Sequence, residues 1–299
     1  MTEPVKPSLR ISGLHIMEDT GPFWKDDIHV QGGEIFVFLS PADGTGEALH
    51  LILSSLAQPL KGEIEWDGFL AGTIPANWMR DGSVEDLIVA LAESVGLDRK
   101  LVDEYKAEVL AASKLKPEDA KTLLCDLTMQ QRAMIGFYLG YSFLPEVLIA
   151  AEPTEGCSDI QQTQILQKIF RHSREGNAVV LFTSRTEVAE SLGDRIALLY
   201  KGRTVALGSR EELLSMGEPL DSMRLVFADE PALNKLGLGT VEGVKSVKKT
   251  PGGHVLRILG GQHTAQKVFE VLNERGIRIL AASYESRNLA TVFEELTAT

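Results

Sequence analysis

The sequence predicts an α/β domain followed by a smaller α+β domain. Three observations carry that prediction. Gly33–Leu39 and Glu146–Ala151 are near-continuous apolar runs, the pattern of strands buried on both faces. Strands alternate with helical stretches from Gly33 to Leu199, which implies a parallel sheet covered on both sides. Near Ser222 the pattern changes to short strands around a Pro251-Gly252-Gly253 turn signal. These features divide the chain into a first domain at 1–217 and a second at 218–299.

Each element follows from local pattern. Leu9–Leu14, Asp27–Val30 and Gly33–Leu39 read as strands separated by turns that contain glycine. The loop Ser40–Gly46 comes next, and Glu47–Leu56 has helical spacing. A strand, a Gly-containing loop and a helix, in that order, form the setting in which helix N-terminal amides can cradle a phosphate. Ser83–Lys121 is rich in Leu, Ala, Glu and Lys at period 3.6, and with the helix Met129–Leu144 it makes a helical subdomain over about 76–145. Helices at Ile160–His172 and Glu187–Leu192 alternate with strands at Ala178–Phe182 and Arg195–Leu199. The second domain is expected to hold strands at Arg224–Phe227, Val244–Val247, His254–Leu259 and Arg278–Ala282, with helices at Thr264–Arg275 and Leu289–Leu296. Gly252-Gly253 and Gly260-Gly261 are read as turns, neither opening a strand-to-helix loop.

Composition excludes several classes of function. Thirty Lys+Arg against 42 Asp+Glu leave a net charge of −12 over 299 residues, so no nucleic-acid partner is expected, because phosphate neutralisation needs a concentrated positive face. With 44% hydrophobic residues there is apolar material for a core in each domain, which argues against disorder. No apolar run approaches the roughly 18 residues of a membrane span, and no secretory leader is read at the start, so the expected location is cytoplasmic. Cys125 and Cys157 are too few for a disulfide framework and match no metal spacing, and are read as small semi-buried thiols. The histidines His15, His29, His50, His172, His254 and His263 show no pair at ligand spacing, so no metal site is expected.

Six short matches, in order and at consistent spacing, carry a family resemblance. Gly33-Glu34-Ile35-Phe36 is similar to "GEIFGLLGP", and Gly62-Glu63-Ile64 with Asp67-Gly68 to "SGEI…DG". Met129-Gln130-Gln131-Arg132 matches the tail of "LSGGMQQR", and Glu152-Pro153-Thr154 matches "DEPT". Asp194-Arg195-Ile196 matches "CDRI", and Gly208-Ser209 with Glu211-Glu212-Leu213 looks like "GTPEEL". Residues 9–213 thus resemble the nucleotide-binding domain of ABC transporters. Residues 222–299, ending in a stretch similar to "SLEDVFLELT", resemble the C-terminal domain of ABC-2-type exporter and gliding-motility ATPases. The resemblance implies a P-loop NTPase-like fold: a mixed sheet flanked by helices, with a helical subdomain.

At the positions that touch ATP in the family, the resemblance implies loss. In the phosphate loop GxxxxGK[ST], backbone amides hold phosphate, Lys neutralises it and the hydroxyl ligates Mg²⁺. Aligned on Gly44 and Gly46, this chain has Pro41 at the first Gly, Glu47 at the Lys, Ala48 at the Mg²⁺ hydroxyl and Leu49 beyond it. At ~4 Å and an effective dielectric of ~20, reversing one charge is a swing of roughly 8 kcal/mol. Micromolar to millimolar binding is worth only about 4–8 kcal/mol, so this position alone is expected to abolish the usual pose. The Walker B aspartate falls on Ala151, the water-orienting glutamine on Ala76, the switch histidine on Ser184 and the adenine-stacking aromatic near Met17. The signature serine falls on Asp126, and its two glycines on Leu127 and Thr128. Glu152, at the position of the catalytic base, is the one catalytic-type residue retained, and is read as structural because it lacks metal and phosphate partners. Glu47 is read either as a carboxylate favourable against the helix dipole or as an internal mimic of phosphate.

The expectation is therefore a degenerate, non-hydrolysing ABC-type subunit, a scaffold or regulatory component with no cofactor. The alternative is a divergent ABC ATPase that binds ATP and Mg²⁺ and energises export. The implied partners are an ABC-2-type membrane permease or another ABC-type subunit, in a homo- or heterodimer. The implied place is the inner face of the cytoplasmic membrane, held there through a partner. Trp78 and Met79 are the candidate partner contacts, as an aromatic and Met pair at the entrance to the helical subdomain.

Overall fold

The computed structural model describes residues 8–15, 27–40, 44–55, 57–229 and 236–297. The chain divides into two compact units, residues 1–210 and 211–299. The break comes earlier than the 217/218 boundary read from the sequence, inside the short helix Arg210–Leu214. Arg287 supplies a reason: its guanidinium donates to the carbonyls of Leu214 (3.0 Å), Met216 and Glu218 (2.7 Å), and to the Glu295 carboxylate (2.7 Å). The segment after Arg210 is thereby tied into the C-terminal unit.

In the first unit, strands β1 (Ser8–His15), β2 (Ile28–Gln31) and β4 (Lys61–Asp67) form an antiparallel sheet in the order β2-β1-β4. The central sheet has six strands: β3 (Ile35–Leu39), β5 (Leu70–Gly72), β6 (Val147–Ala151), β7 (Ala178–Thr183), β8 (Arg195–Tyr200) and β9 (Arg203–Gly208). Their order is β5-β6-β7-β3-β8-β9, parallel from β5 through β8 and closed by the antiparallel β9. Every residue of β3, β6 and β7 is buried, as the uninterrupted apolar runs require. Between the two sheets lies a core that includes Phe36, Phe38, Leu49, Leu53, Ile149 and Phe182, with the Phe38 and Phe182 rings stacked at 5.0 Å. Each such side chain contributes about 1.5–3 kcal/mol by leaving water.

Helix α1 (Thr45–Leu53) follows β3. The helical subdomain contains α2 (Val84–Ser94), α3 (Arg99–Ala112) and α4 (Met129–Tyr141). Ser83 with Asp86 caps α2 and Thr128 with Gln131 caps α4, each as a reciprocal capping box. Helix α4 is buried on nearly all sides from Ala133 to Gly140. Two glycines allow this: a Cβ on Gly136 would strike the Ile74 carbonyl, and one on Gly140 the Gly72 carbonyl. The Ile74 amide bonds the Gly136 carbonyl at 3.0 Å, which fixes the strand-to-turn segment leading to Trp78. Helices α5 (Asp159–Arg174) and α6 (Thr186–Leu192) alternate with the strands as expected.

The second unit has an antiparallel sheet in the order β11-β12-β10-β13, from β10 (Asp221–Phe227), β11 (Val244–Thr250), β12 (Gly253–Ile258) and β13 (Ile279–Glu285). Helix Gly261–Glu274 packs Val268 and Leu272 into a core with Leu225 and Leu256, and helix Leu289–Thr297 completes the described residues. Gly260 and Gly261, with φ of 90° and 60°, do open a strand-to-helix connection, contrary to the reading above. The helix begins three residues before the expected Thr264, because glycine reaches this backbone without steric cost.

Candidate functional site

The carboxyl ends of β3, β6 and β7 border a cavity of about 500 Å³ in the first unit. That is where parallel α/β sheets present ligand sites, since the loops leaving adjacent strands diverge there. Gly44, Gly46 and Glu47 come from the start of α1, Ala151 and Glu152 from the end of β6, Ser184 from the end of β7, and Trp78 from the turn after β5. All seven were singled out from the sequence, and the fold brings them to one cleft.

Helix α1 begins at Gly44, whose φ of 82° turns the chain without a side-chain cap. The Gly46 amide donates to Ser40 Oγ at 3.2 Å, and Gly202 N–H donates to Thr45 Oγ1 at 3.0 Å, so the head of the helix is tied to its own protein. Glu47 lies in the first turn, where its charge complements the helix dipole. Its Oε1 accepts the Trp78 indole N–H at 2.7 Å, and the Trp78 ring also lies 5.2 Å from the His50 imidazole. His50 is 1% exposed and edges against Phe182 at 5.6 Å. Burial pushes its pKa down to about 4, so the imidazole is neutral at physiological pH.

Glu152 has a φ of 41°, and its carboxylate accepts the Ser184 backbone N–H and the Thr183 hydroxyl (3.2 Å). Both of its oxygens thus pin the loop after β7. Glu155 stands close by; burial first, and the Glu152 charge second, push its carboxyl above the usual range. Among the described residues the cleft carries three carboxylates, Glu47, Glu152 and Glu155, and one guanidinium, Arg185, which donates to Gln162 Oε1 at 2.6 Å. Ala151 offers no oxygen; its amide donates to Thr73 Oγ1 at 3.2 Å.

Other expected positions lie elsewhere. Ala48 is half-buried, Leu49 is fully buried in the core, and Ala76 is buried in the 3₁₀ turn Ala76–Trp78. Asp126 is exposed in a second 3₁₀ turn, before the cap of α4, while Leu127 is buried. Pro41 and Met17 lie outside the described residues. Met79 is corrected: at 3% exposure, with its Cε near Gly136 on α4, it packs inward and presents no surface to a partner. Trp78 is corrected in part, since it is half-buried and its polar edge is taken by Glu47. Cys157 is buried and Cys125 exposed, and among the described residues no group of three acidic, His or Cys side chains is placed to hold a metal.

Sequence reasoning placed Glu155 at the family's D-loop but missed His50, Gln162 and Arg185 as cleft residues. His50 was legible as the residue one helical turn from Glu47; Gln162 lies on the polar side of α5 and Arg185 on the loop after β7, where no hydrophobic pattern marks them.

The fold is that of the ATP-binding domains of ABC transporters. No protein-family model matches the chain. Its sequence relatives are ABC transporter ATP-binding proteins. It is 25% identical over 237 residues to an uncharacterized ABC transporter ATP-binding protein of Methanocaldococcus jannaschii, covering 76% of this chain and 88% of that one. It is 26% identical over 261 residues to a ribose import ATP-binding protein of Rubrobacter xylanophilus, covering 78% of this chain and 52% of that one. It is 24% identical over 150 residues to the energy-coupling factor transporter ATP-binding protein EcfA2 of Bacillus thuringiensis, covering half of this chain and 51% of that one. The chain thus spans most of the first relative and about half of the other two. Among solved structures, a dimeric ATP-binding cassette in a post-hydrolysis state with ADP and Pi superposes with a TM-score of 0.57 at 16% identity, covering 67% of this chain and 98% of that one. An ABC transporter ATP-binding subunit superposes with a TM-score of 0.54, also at 16% identity, covering 69% and 91%.

Proposed function

We propose that this chain is a non-hydrolysing ABC-type subunit, a scaffold or regulatory component of an ABC-2-type membrane or motility complex. The observation that carries the reading is the Glu47 carboxylate at the head of α1, held by the Trp78 indole in the cleft. A triphosphate there meets Glu47, Glu152 and Glu155, and the one guanidinium among the described cleft residues is engaged with Gln162. Alanines at 48 and 151 supply no oxygen to Mg²⁺, and the Gly46 amide already has Ser40 as its acceptor. ATP and Mg²⁺ therefore do not fit these residues. A retained fold with altered loop chemistry suits a binding role, because fold is written in buried faces and catalysis in loop groups.

The expected partner is a permease-like membrane subunit or a second ABC-type chain, with this chain peripheral on the inner face of the membrane. No helix among the described residues is long and apolar enough to cross a membrane. A second reading, a nucleotide-binding ATPase that energises export, is favoured by one observation: Glu152 sits at the end of β6. Calorimetric titration with Mg²⁺-ATP separates the two. The scaffold reading expects no saturable heat and no rise in melting temperature; a dissociation constant below about 1 mM would overturn it.

A further inference from the structure

We propose that β13, the strand at one edge of the second unit's sheet, docks a second copy of this chain, the two copies pairing antiparallel about a twofold axis at Ala282. The inference stands apart from the scaffold reading and uses no residue of the cleft.

β13 ends the strand order β11-β12-β10-β13, so one row of its backbone N–H and C=O groups faces away from β10. Among the described residues, no backbone group outside β10 bonds to the backbone of residues 280–285. Residues 280–283 are exposed in succession, and Leu280 is 69% exposed. The two edges of this sheet are built differently. β11, at the far edge, carries Lys245, Lys248 and Lys249, charges of the kind that keep an edge from pairing with another chain. β13 reads Ile-Leu-Ala-Ala-Ser-Tyr-Glu, with no lysine, proline or glycine and its single charge at the last position. Its register with β10 shifts once, between Val226 and Phe227, and is unbroken from Ala281 to Glu285, which leaves a regular run for a further strand.

The side chains of β13 choose its partner. Ala282 is the middle residue of the strand, and antiparallel pairing about it sets Leu280 of one copy opposite Tyr284 of the other, twice by symmetry. Ala281 then falls opposite Ser283, and both are small enough for close approach. The same pairing brings the Arg278 end of each strand to the Glu285 end of the other, whereas a parallel copy would set Glu285 beside Glu285. Arg278 is exposed and meets Asp229 at 3.0 Å, which leaves further guanidinium N–H groups to donate; Glu285 has no ion pair among the described residues. The joined sheet would have the lysine-bearing β11 at both of its outer edges, so association closes at two copies.

The test is sedimentation equilibrium of the full chain without nucleotide, from about 1 to about 200 µM, beside an Ala281→Lys/Ser283→Lys variant. Both positions are exposed, so the variant should keep the parent's melting temperature at low concentration while setting lysine against lysine across the axis. The parent is expected to dimerise with a dissociation constant below about 50 µM, and the variant to bind itself at least about tenfold more weakly. Hydrogen exchange of the parent supplies a reading that needs no substitution: amide protection over 279–285 should rise with concentration while that over 244–250 stays constant. A parent that is monomeric throughout, a dimer equally tight in the variant, or exchange over 279–285 that ignores concentration would each overturn the proposal. The scaffold reading is decided separately, by the Mg²⁺-ATP titration, and either idea can fail while the other holds.

Discussion

Replacing Glu152 by Gln separates an anchoring carboxylate from a catalytic one. In this structure the side chain accepts the Ser184 amide and the Thr183 hydroxyl, and thereby fixes the loop that leaves β7. A hydrogen bond to a charged group is worth about 1.5–3 kcal/mol. The Ser184 side of the contact is open to water, so about 1–2 kcal/mol is the appropriate range. Gln keeps one acceptor oxygen but turns an amide NH₂ toward one of the two donors. For a unit of this size each kcal/mol moves the melting temperature by roughly 2–4 °C, so Glu152→Gln should melt about 2–8 °C lower. Thermal unfolding followed by far-UV circular dichroism, with and without Mg²⁺-ATP, measures it. A variant that melts like the parent would refute the anchoring role. A parent that releases phosphate from ATP, with the release lost in Glu152→Gln, would refute the non-hydrolysing reading as well.

Three further outcomes are expected. Glu47→Lys restores a cation but not the oxygens missing at Ala48 and Ala151, so its phosphate release should equal that of the Glu47→Lys/Glu152→Gln double variant in a released-phosphate assay. His50 is held neutral with its pKa lowered from 6.5 to about 4, so the unfolded chain takes up the proton first as pH falls; about 3 kcal/mol of stability, fully present above pH 6.5, should be lost between pH 6.5 and 4. In urea titrations across that range His50→Phe should flatten the dependence, and an equal slope in both proteins would dismiss the assignment. Gly136→Ala drives a methyl into the Ile74 carbonyl and should cost about 2–3 kcal/mol, seen as a lower urea midpoint; an unchanged midpoint would show that α4 can move away.

The elements legible in the sequence were those whose pattern is set by burial. β3, β6 and β7 announce themselves because both faces are covered, and α5 because its apolar residues recur at helical spacing. β5 is only three residues long and half-buried, too short for any pattern. β9 buries alternate residues, Thr204, Ala206 and Gly208, but all three are small or polar, so its inward face carries little hydrophobic signal. The fit of α4 against Gly72–Ile74 was written as Gly136 and Gly140, four residues apart. That signal concerns backbone approach and is invisible to hydrophobic periodicity.

The site was legible in a different way. Its positions were found through order and spacing along the strands, because parallel strands in register deliver their ends to one edge whatever residues stand there. What those residues do to one another was not legible. Trp78 and Glu47 are far apart in the chain, and their bond arises because α4 fixes the turn after β5 opposite the head of α1. Loop polar groups can be exchanged without disturbing the core that positions them, since Leu49 and Leu53 face inward while Glu47 and Ser184 border the cleft. A cation in the family's pattern and a carboxylate here can thus occupy the same place on the same scaffold. The carboxylate's partner within the chain, an indole N–H, supplies the donor that a phosphate-binding loop would direct at its ligand. On the scaffold reading proposed above, Glu47 in that place presents an acceptor to the cleft where the phosphate-loop pattern has a donor, and this difference weighs more on ligand chemistry than the loss of any single group.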